Sequence, residues 1–214
     1  MALPDLKFDG THDHPCNVIL AHGAGQPMDS PFMNAFAEGL ADRGLRVARF
    51  EFPYMAARRT EGVKKGPDRP NILLDTWKDV IRSLGGGEKI VIGGKSMGGR
   101  IASMVADEVG ACGLVCLGYP FHALGKPDKP RIAHLETIKT PTLIVQGTRD
   151  TMGKPEEVAR YKLSEAIEVC WMDDGDHSFK PRKSSGRTEA QAWQQGGDAV
   201  AAFIAKLNPD LGLG

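Results

Sequence analysis

The chain has 214 residues, enough for one domain (1–214) with a sizeable core. Hydrophobic residues make up 41% and charged residues 25%, which excludes a disordered or fibrous chain. Lys plus Arg equal Asp plus Glu at 27 each, so the basic surplus of a general polyanion binder is missing and nucleic acid is not an expected partner.

The first fourteen residues carry acids and no apolar centre, unlike a signal peptide. Residues 16–22 (CNVILAH) form a short apolar run and predict a strand. Residues 31–44 follow with Phe32, Phe36 and Leu40 on one helical face and a closing glycine. Residues 45–53 alternate toward a strand. Residues 71–84 put Ile72, Leu73, Trp77, Val80, Ile81 and Leu84 on one face and predict a helix. A strand over 89–95, a helix over 97–109 and a strand over 112–119 come next. The long connection 120–140 shows no clear periodicity, so it is either functional or partly folded. A strand over 141–147, a helix over 155–164, a strand over 167–172 and a helix over 189–207 complete the chain. Six strands apolar on both faces, alternating with helices, predict a doubly wound, mostly parallel sheet covered on both sides. Its ligand site belongs at the carboxyl ends of the strands.

Cys16, Cys112, Cys116 and Cys170 lie far apart in apolar runs, without zinc spacing, and read as buried thiols of a reducing compartment. No apolar run approaches the ~20 residues of a membrane span. The expectation is a cytoplasmic protein with no membrane partner, no metal and no cofactor. His12-Asp13-His14 reads as a solvated turn rather than a metal site.

Gly94-Lys95-Ser96-Met97-Gly98 matches G-x-S-x-G and sits between an apolar strand and a helix, where such a serine must stand to be exposed as a nucleophile. A serine needs a base, and the base an orienting acid. Of the histidines after Ser96, His122 and His134 fall in the long connection. His177 falls in Asp173-Asp174-Gly175-Asp176-His177-Ser178, on a carboxyl-edge loop, and is favoured. Asp150, just past the strand over 141–147, is favoured as the acid. Asp173, Asp174 and Asp176 are too near His177 in sequence to reach across its ring, and look like turn formers. His22-Gly23-Ala24-Gly25 follows the first strand. The N–H groups of Ala24 and Met97 are the candidate oxyanion donors.

With those residues on the page, the chain resembles α/β-hydrolases over nearly its whole length: HGAG, GKSMGG, QGTRD and GDHSF come in family order. FPYM, LGYPFH and GKPDKPR are similar to a small branch of hydrolase-like proteins. That branch is related to a testis-expressed hydrolase-like protein and to a subunit of a chromatin acetyltransferase complex. The resemblance implies a Ser96 nucleophile, an Asp150 acid and a His177 base. The serine departs from the Cys of dienelactone hydrolases and the Asp of haloalkane dehalogenases. The helical lid of the family has only 121–139 available, with Pro127 and Pro130 in it, so a large lid is not expected.

The reading is a cofactor-free serine hydrolase acting on a small ester, thioester or related acyl bond. Tyr54, Tyr119 and Phe121, with Phe52 and Met55, would follow strand ends and either line a shallow site or pack in the core. Three connections carry basic surpluses, 58–69 (with Arg58 and Arg59), 121–139 and 179–187, which predicts an electropositive mouth and an anionic substrate. The rival is a non-catalytic scaffold that binds partners. Acyl transfer or cofactor-free peroxidation on the same residues is a third reading.

Overall fold

The computed structural model describes residues 3–11, 17–62 and 64–207. Seven strands form one sheet: β1 (Leu6–Asp9), β2 (Val18–Ala21), β3 (Val47–Phe50), β4 (Val91–Lys95), β5 (Gly113–Leu117), β6 (Thr142–Gly147) and β7 (Ile167–Met172). Among the described residues six α-helices accompany them: α1 (Pro31–Ala41), α2 (Pro53–Glu61), α3 (Pro70–Ser83), α4 (Met97–Val105), α5 (Pro155–Val158) and α6 (Glu189–Leu207). The strand order is β1-β3-β2-β4-β5-β6-β7, and every pairing except β1 with β3 is parallel. The order reverses beside β2, because β3 lies on one side of it and β4 on the other. The crevice at the carboxyl ends of β2 and β4 is therefore the topological switch point, where doubly wound sheets place ligands.

The strands are apolar on both faces because both faces are covered. Ile92, Leu114 and Ile144 point into one core layer, with Trp77 and Ile81 of α3 and Ile101 of α4. Val91, Val115 and Val145 point into the other, with Phe36 of α1 and Phe203 of α6. Trp77 is fully buried, packs edge-on against Phe50 at 4.9 Å and donates from its indole nitrogen to Gly98 O at 3.3 Å. A core aromatic thus braces the turn that carries Ser96.

The structure departs from the sequence expectations in three places. The edge strand β1 went unpredicted: it has four residues, two of them charged. It is pinned by Arg49 of β3, fully buried, whose guanidinium meets the Asp9 carboxylate with two bonds of 2.8 Å. Arg49 also donates to Met28 O and Asn34 Oδ1. Residues 53–61 are a helix rather than a strand end and an open connection; Pro53 suits its first turn, and Gly62 caps it with φ 67°. The helix expected over 155–164 ends at Val158 and continues as tight turns through Tyr161.

The connection 120–140 is partly folded without a lid helix. It makes an isolated bridge between His122 and Pro130 and one 3-10 turn at Ala133–Glu136. Its far end is tied by the Asp107 carboxylate, which accepts from Lys139 N, Thr140 N and Thr140 Oγ1. Cys112 and Cys170 are only partly buried, unlike Cys116, and Cys116 and Cys170 are free thiols. Cys16 and the His12-Asp13-His14 stretch lie outside the described residues. Among the described residues no helix is long and apolar enough to cross a membrane, and no cluster of His, Cys, Asp or Glu could hold a metal.

Candidate active site

Ser96 stands between β4 and α4 with φ 51° and ψ −115°. That conformation is costly for a residue with a side chain and persists only where the surroundings over-determine it. Here the serine N–H is held by Leu117 O at 3.0 Å, and its carbonyl starts the helix by accepting Arg100 N. The flanking glycines are needed for space. A Cβ on Gly94 would lie 2.1 Å from Ala21 O, and one on Gly98 2.5 Å from the same oxygen. The turn therefore presses against β2, and the serine is directed out of the sheet edge.

Two loops from neighbouring strands meet it. His177, after β7, places Nε2 2.9 Å from Ser96 Oγ. Its Nδ1 lies 2.7 Å from Asp150 Oδ2, after β6. Asp150 is fully buried, and its carboxylate also accepts from Gln146 Nε2 at 2.9 Å and Met152 N at 2.9 Å. A buried carboxylate so surrounded by donors accepts from the ring, which assigns the proton to Nδ1 and leaves Nε2 to accept from the serine hydroxyl. This chain can draw a proton from Oγ and hold the resulting imidazolium against a fixed negative charge. Ser96 and His177 remain partly exposed, so the chain ends at solvent.

The neighbouring aspartates have other work. Asp176 accepts from Ser178 N and Lys180 N and closes the turn beside His177. Asp174, at φ 54°, pairs with Arg182. His134 bonds Ser103 Oγ at 2.8 Å, and buried His122 bonds Ala123 O at 2.9 Å; neither joins the chain.

Ala24 and Met97 flank the same point, after β2 and at the first position of α4. Neither N–H has an acceptor among the described residues. Met97 N–H lies at a helix N-terminus, where the free amides and the macrodipole favour negative charge. The loop over 22–25 is braced from below. His22 is fully buried; its Nε2 accepts Phe52 N–H at 3.1 Å and its Nδ1 lies 2.6 Å from Gly23 O. Burial lowers its pKa, so it is a neutral strut.

The expected lining residues are placed differently. Tyr119 and Phe121 have no exposed surface. They pack edge-on at 4.9 Å in the core, with Tyr119 OH donating to Arg131 O. Lining an open site is ruled out for both in this structure, because the chain after β5 turns inward to cover the sheet. Phe52 is likewise core, whereas Met55, though buried, keeps a face on a cavity. Tyr54 is buried, and its OH donates to Ala24 O at 2.9 Å, so it supports the 22–25 loop. Arg59 is held by Asp29, at 2.8 and 3.0 Å, and by Glu51, at 2.6 and 3.2 Å. Arg58 donates to Lys65 O and lies 5.3 Å over the Tyr54 ring. Arg58, Arg59, Met55 and Pro27 line a cavity of about 240 Å³.

Sequence reasoning gave no role to Gln146 or Lys95. Gln146 is fully buried, bonds Tyr119 N and O, and holds the Asp150 carboxylate. Lys95 lies under His177 and donates to its carbonyl. Each is a polar residue inside an apolar strand, TLIVQG and VIGGK, and that contrast was the available signal.

Comparison with known proteins agrees with this architecture. Residues 14–205 match the family model described as an alpha/beta hydrolase domain. Among solved structures, a monoacylglycerol lipase from Paleococcus ferrophilus is 16% identical, covering 96% of this chain and 99% of its own, with a TM-score of 0.70. A serine hydrolase homologue from Coxiella burnetii is 20% identical over 94% and 88%, TM-score 0.63. A serine hydrolase from Xanthomonas campestris, described as without a lid, is 18% identical over 92% and 88%, TM-score 0.62. A parallel sheet with its switch point at β2 and β4, a strained serine on the turn after β4 and a match over most of the chain place this protein in the alpha/beta hydrolase family.

Proposed function

We propose that the protein is a serine hydrolase of the carboxylesterase or thioesterase type, acting on small acyl substrates through an acyl-enzyme. The observation that carries this is the hydrogen-bonded sequence Ser96, His177, Asp150, with distances of 2.9 and 2.7 Å. His177 Nε2 takes the Ser96 proton as Oγ attacks the acyl carbon. Asp150 holds the imidazolium. The N–H groups of Ala24 and Met97 bind the oxyanion, and the imidazolium then protonates the leaving alcohol or thiol. Water enters by the same route in reverse and frees Ser96. No step calls for a metal or cofactor.

The substrate is small because no lid helix covers Ser96, and the cavity lined by Arg58 and Arg59 is only about 240 Å³. Arg58 at its wall favours an acyl group bearing a carboxylate or phosphate. The rest of the basic surplus is less available than the local charge count suggested, since Arg59, Lys65, Lys180 and Arg182 meet carboxylates. Free Cys116 and Cys170 fit a reducing, cytoplasmic setting. FPYM, LGYPFH and GKPDKPR are what support membership of the small testis-expressed-hydrolase-like branch.

A series of p-nitrophenyl esters from acetate to palmitate tests the reading. Each CH₂ buried in a groove contributes about 0.8 kcal/mol, so a long groove would make kcat/KM climb with chain length. Hydrolysis that peaks at short chains and needs no lipid interface is expected. No turnover of any ester would contradict the reading, and a steep rise beyond about eight carbons would contradict the small-substrate part.

A further inference from the structure

We infer that Lys95, the second residue of the G-x-S-x-G turn, is a positioning residue: its buried ammonium holds the backbone carbonyl of His177 and so sets the imidazole between Asp150 and Ser96. The inference rests on the hydrolase reading above and adds a residue to its machinery.

Lys95 ends β4, and its side chain enters the core layer shared with α1 and α6. Only 9% of the residue is exposed. A lysine is almost never buried so deeply without a partner. Its Nζ donates to His177 O, and this is its one hydrogen-bond acceptor among the described residues. The remaining surroundings are aromatic: Nζ lies 5.1 Å from the Phe32 ring centre and 5.8 Å from that of Phe179. Phe32 belongs to α1, and Phe179 follows His177 by two residues at φ 67°. The lysine therefore grips the His177 loop twice, at the carbonyl and at the ring.

Gly118, just past β5, leaves the necessary space. A Cβ there would lie 2.7 Å from Lys95 Nζ, 2.7 Å from His177 O and 3.4 Å from His177 Cε1. The charged groups facing Nζ are Asp150 from the β6 loop and Asp176 from the β7 loop; Phe32 of α1 and Phe179 are uncharged. Burial pulls the Lys95 pKa down to about 7, against the raising effect of those two carboxylates. Burying this cation costs stability, so packing alone does not account for a lysine at this position.

The test is Lys95→Met, which keeps the length and removes the charge and the N–H donors. The variant should fold, with a Tm at or above that of the wild type near neutral pH. Its kcat should fall about 10- to 100-fold with KM within about threefold, as for a displaced catalytic group. With the cation gone, the acid limb of its kcat/KM profile should move to higher pH. Lys95→Leu, neutral, shorter and likewise without N–H donors, answers the same question if the Met variant does not fold. A second readout needs no turnover: the downfield NMR resonance of the His177 Nδ1 proton in its bond to Asp150, sharp in the wild type, should broaden or shift in either variant. A variant with wild-type kcat, wild-type pH profile and an unchanged resonance would overturn the inference. A wild type that shows the resonance but turns over no ester would overturn the hydrolase reading, and the resonance in the variants would still decide the role of Lys95.

Discussion

The two sides of Ser96 are built differently. On one side stand the turns after β6 and β7. There Asp150 is fully buried, accepts three hydrogen bonds and is backed by Gln146, and His177 is fixed from below by Lys95. On the other side stand α2 and the 22–25 loop. There Arg58 and Arg59 are partly exposed side chains around a small cavity, and the aromatic residues that could have met a substrate are core. The His177 side is thus a rigid polar network, and the α2 side is a shallow surface. On the proposed hydrolase function, reactivity is specified tightly in this molecule and substrate choice loosely.

The largest test of that contrast strikes the rigid side. Asp150→Asn keeps the shape but frees the tautomer. Replacing the orienting carboxylate of such a triad costs on the order of 10⁴-fold in kcat, and His177→Ala should cost at least as much, with Tm little changed for the histidine. Ester turnover with thermal melts checks both. A loss under tenfold for either would mean the network is scaffolding.

One layer further out, Gln146→Leu should lower kcat on the order of 10-fold and stability by about 1–3 kcal/mol, because it leaves Tyr119 N–H and one Asp150 bond unsatisfied in the core. Urea melts and kcat together separate the two effects. A fall in stability alone would shorten the network to its three members.

On the shallow side, Phe121→Leu should reduce stability by up to about 1.5 kcal/mol and leave KM for short esters unchanged, since the ring packs on Tyr161 and has no exposed surface. A raised KM would return Phe121 to the substrate wall. Arg59→Gln should change KM for an anionic ester less than Arg58→Gln does, because Asp29 and Glu51 already engage Arg59. Equal effects would erase the distinction between the two arginines.

The smallest effect concerns acid stability. Burial alone would raise the Asp107 pKa, but bonds from Thr140 Oγ1 and the Lys139 and Thr140 amides hold it below the usual carboxylate value. The folded pKa is depressed, so the contribution is present above about pH 4 and is lost as pH falls through the folded value. The Tm gap between the wild type and Asp107→Asn should therefore shrink below about pH 4. A gap independent of pH would show that Asp107 acts by shape alone.

The same contrast explains what the sequence could tell. Ser96, His177 and Asp150 were legible because their positions follow from strand ends and loop order, which apolar runs and turn residues mark. The geometry brings all three together. Tyr119 and Phe121 were misread because sequence places a residue on a loop but does not say which way the loop turns its side chains. α2 was hidden by its aromatic start, although Pro53 and Gly62 bracket it as helix ends usually are. β1 was hidden by its length, since four residues with two charges carry almost no periodicity. Lys95 and Gln146 broke the apolar pattern of their strands, and such breaks point to the polar network.

The most direct measurement is covalent labelling of the intact protein with a fluorophosphonate, followed by peptide mass spectrometry. The account predicts a single adduct on Ser96, none in Ser96→Ala, and labelling slowed by orders of magnitude in His177→Ala. A folded wild type that stays unlabelled, or an adduct on another serine, would contradict it.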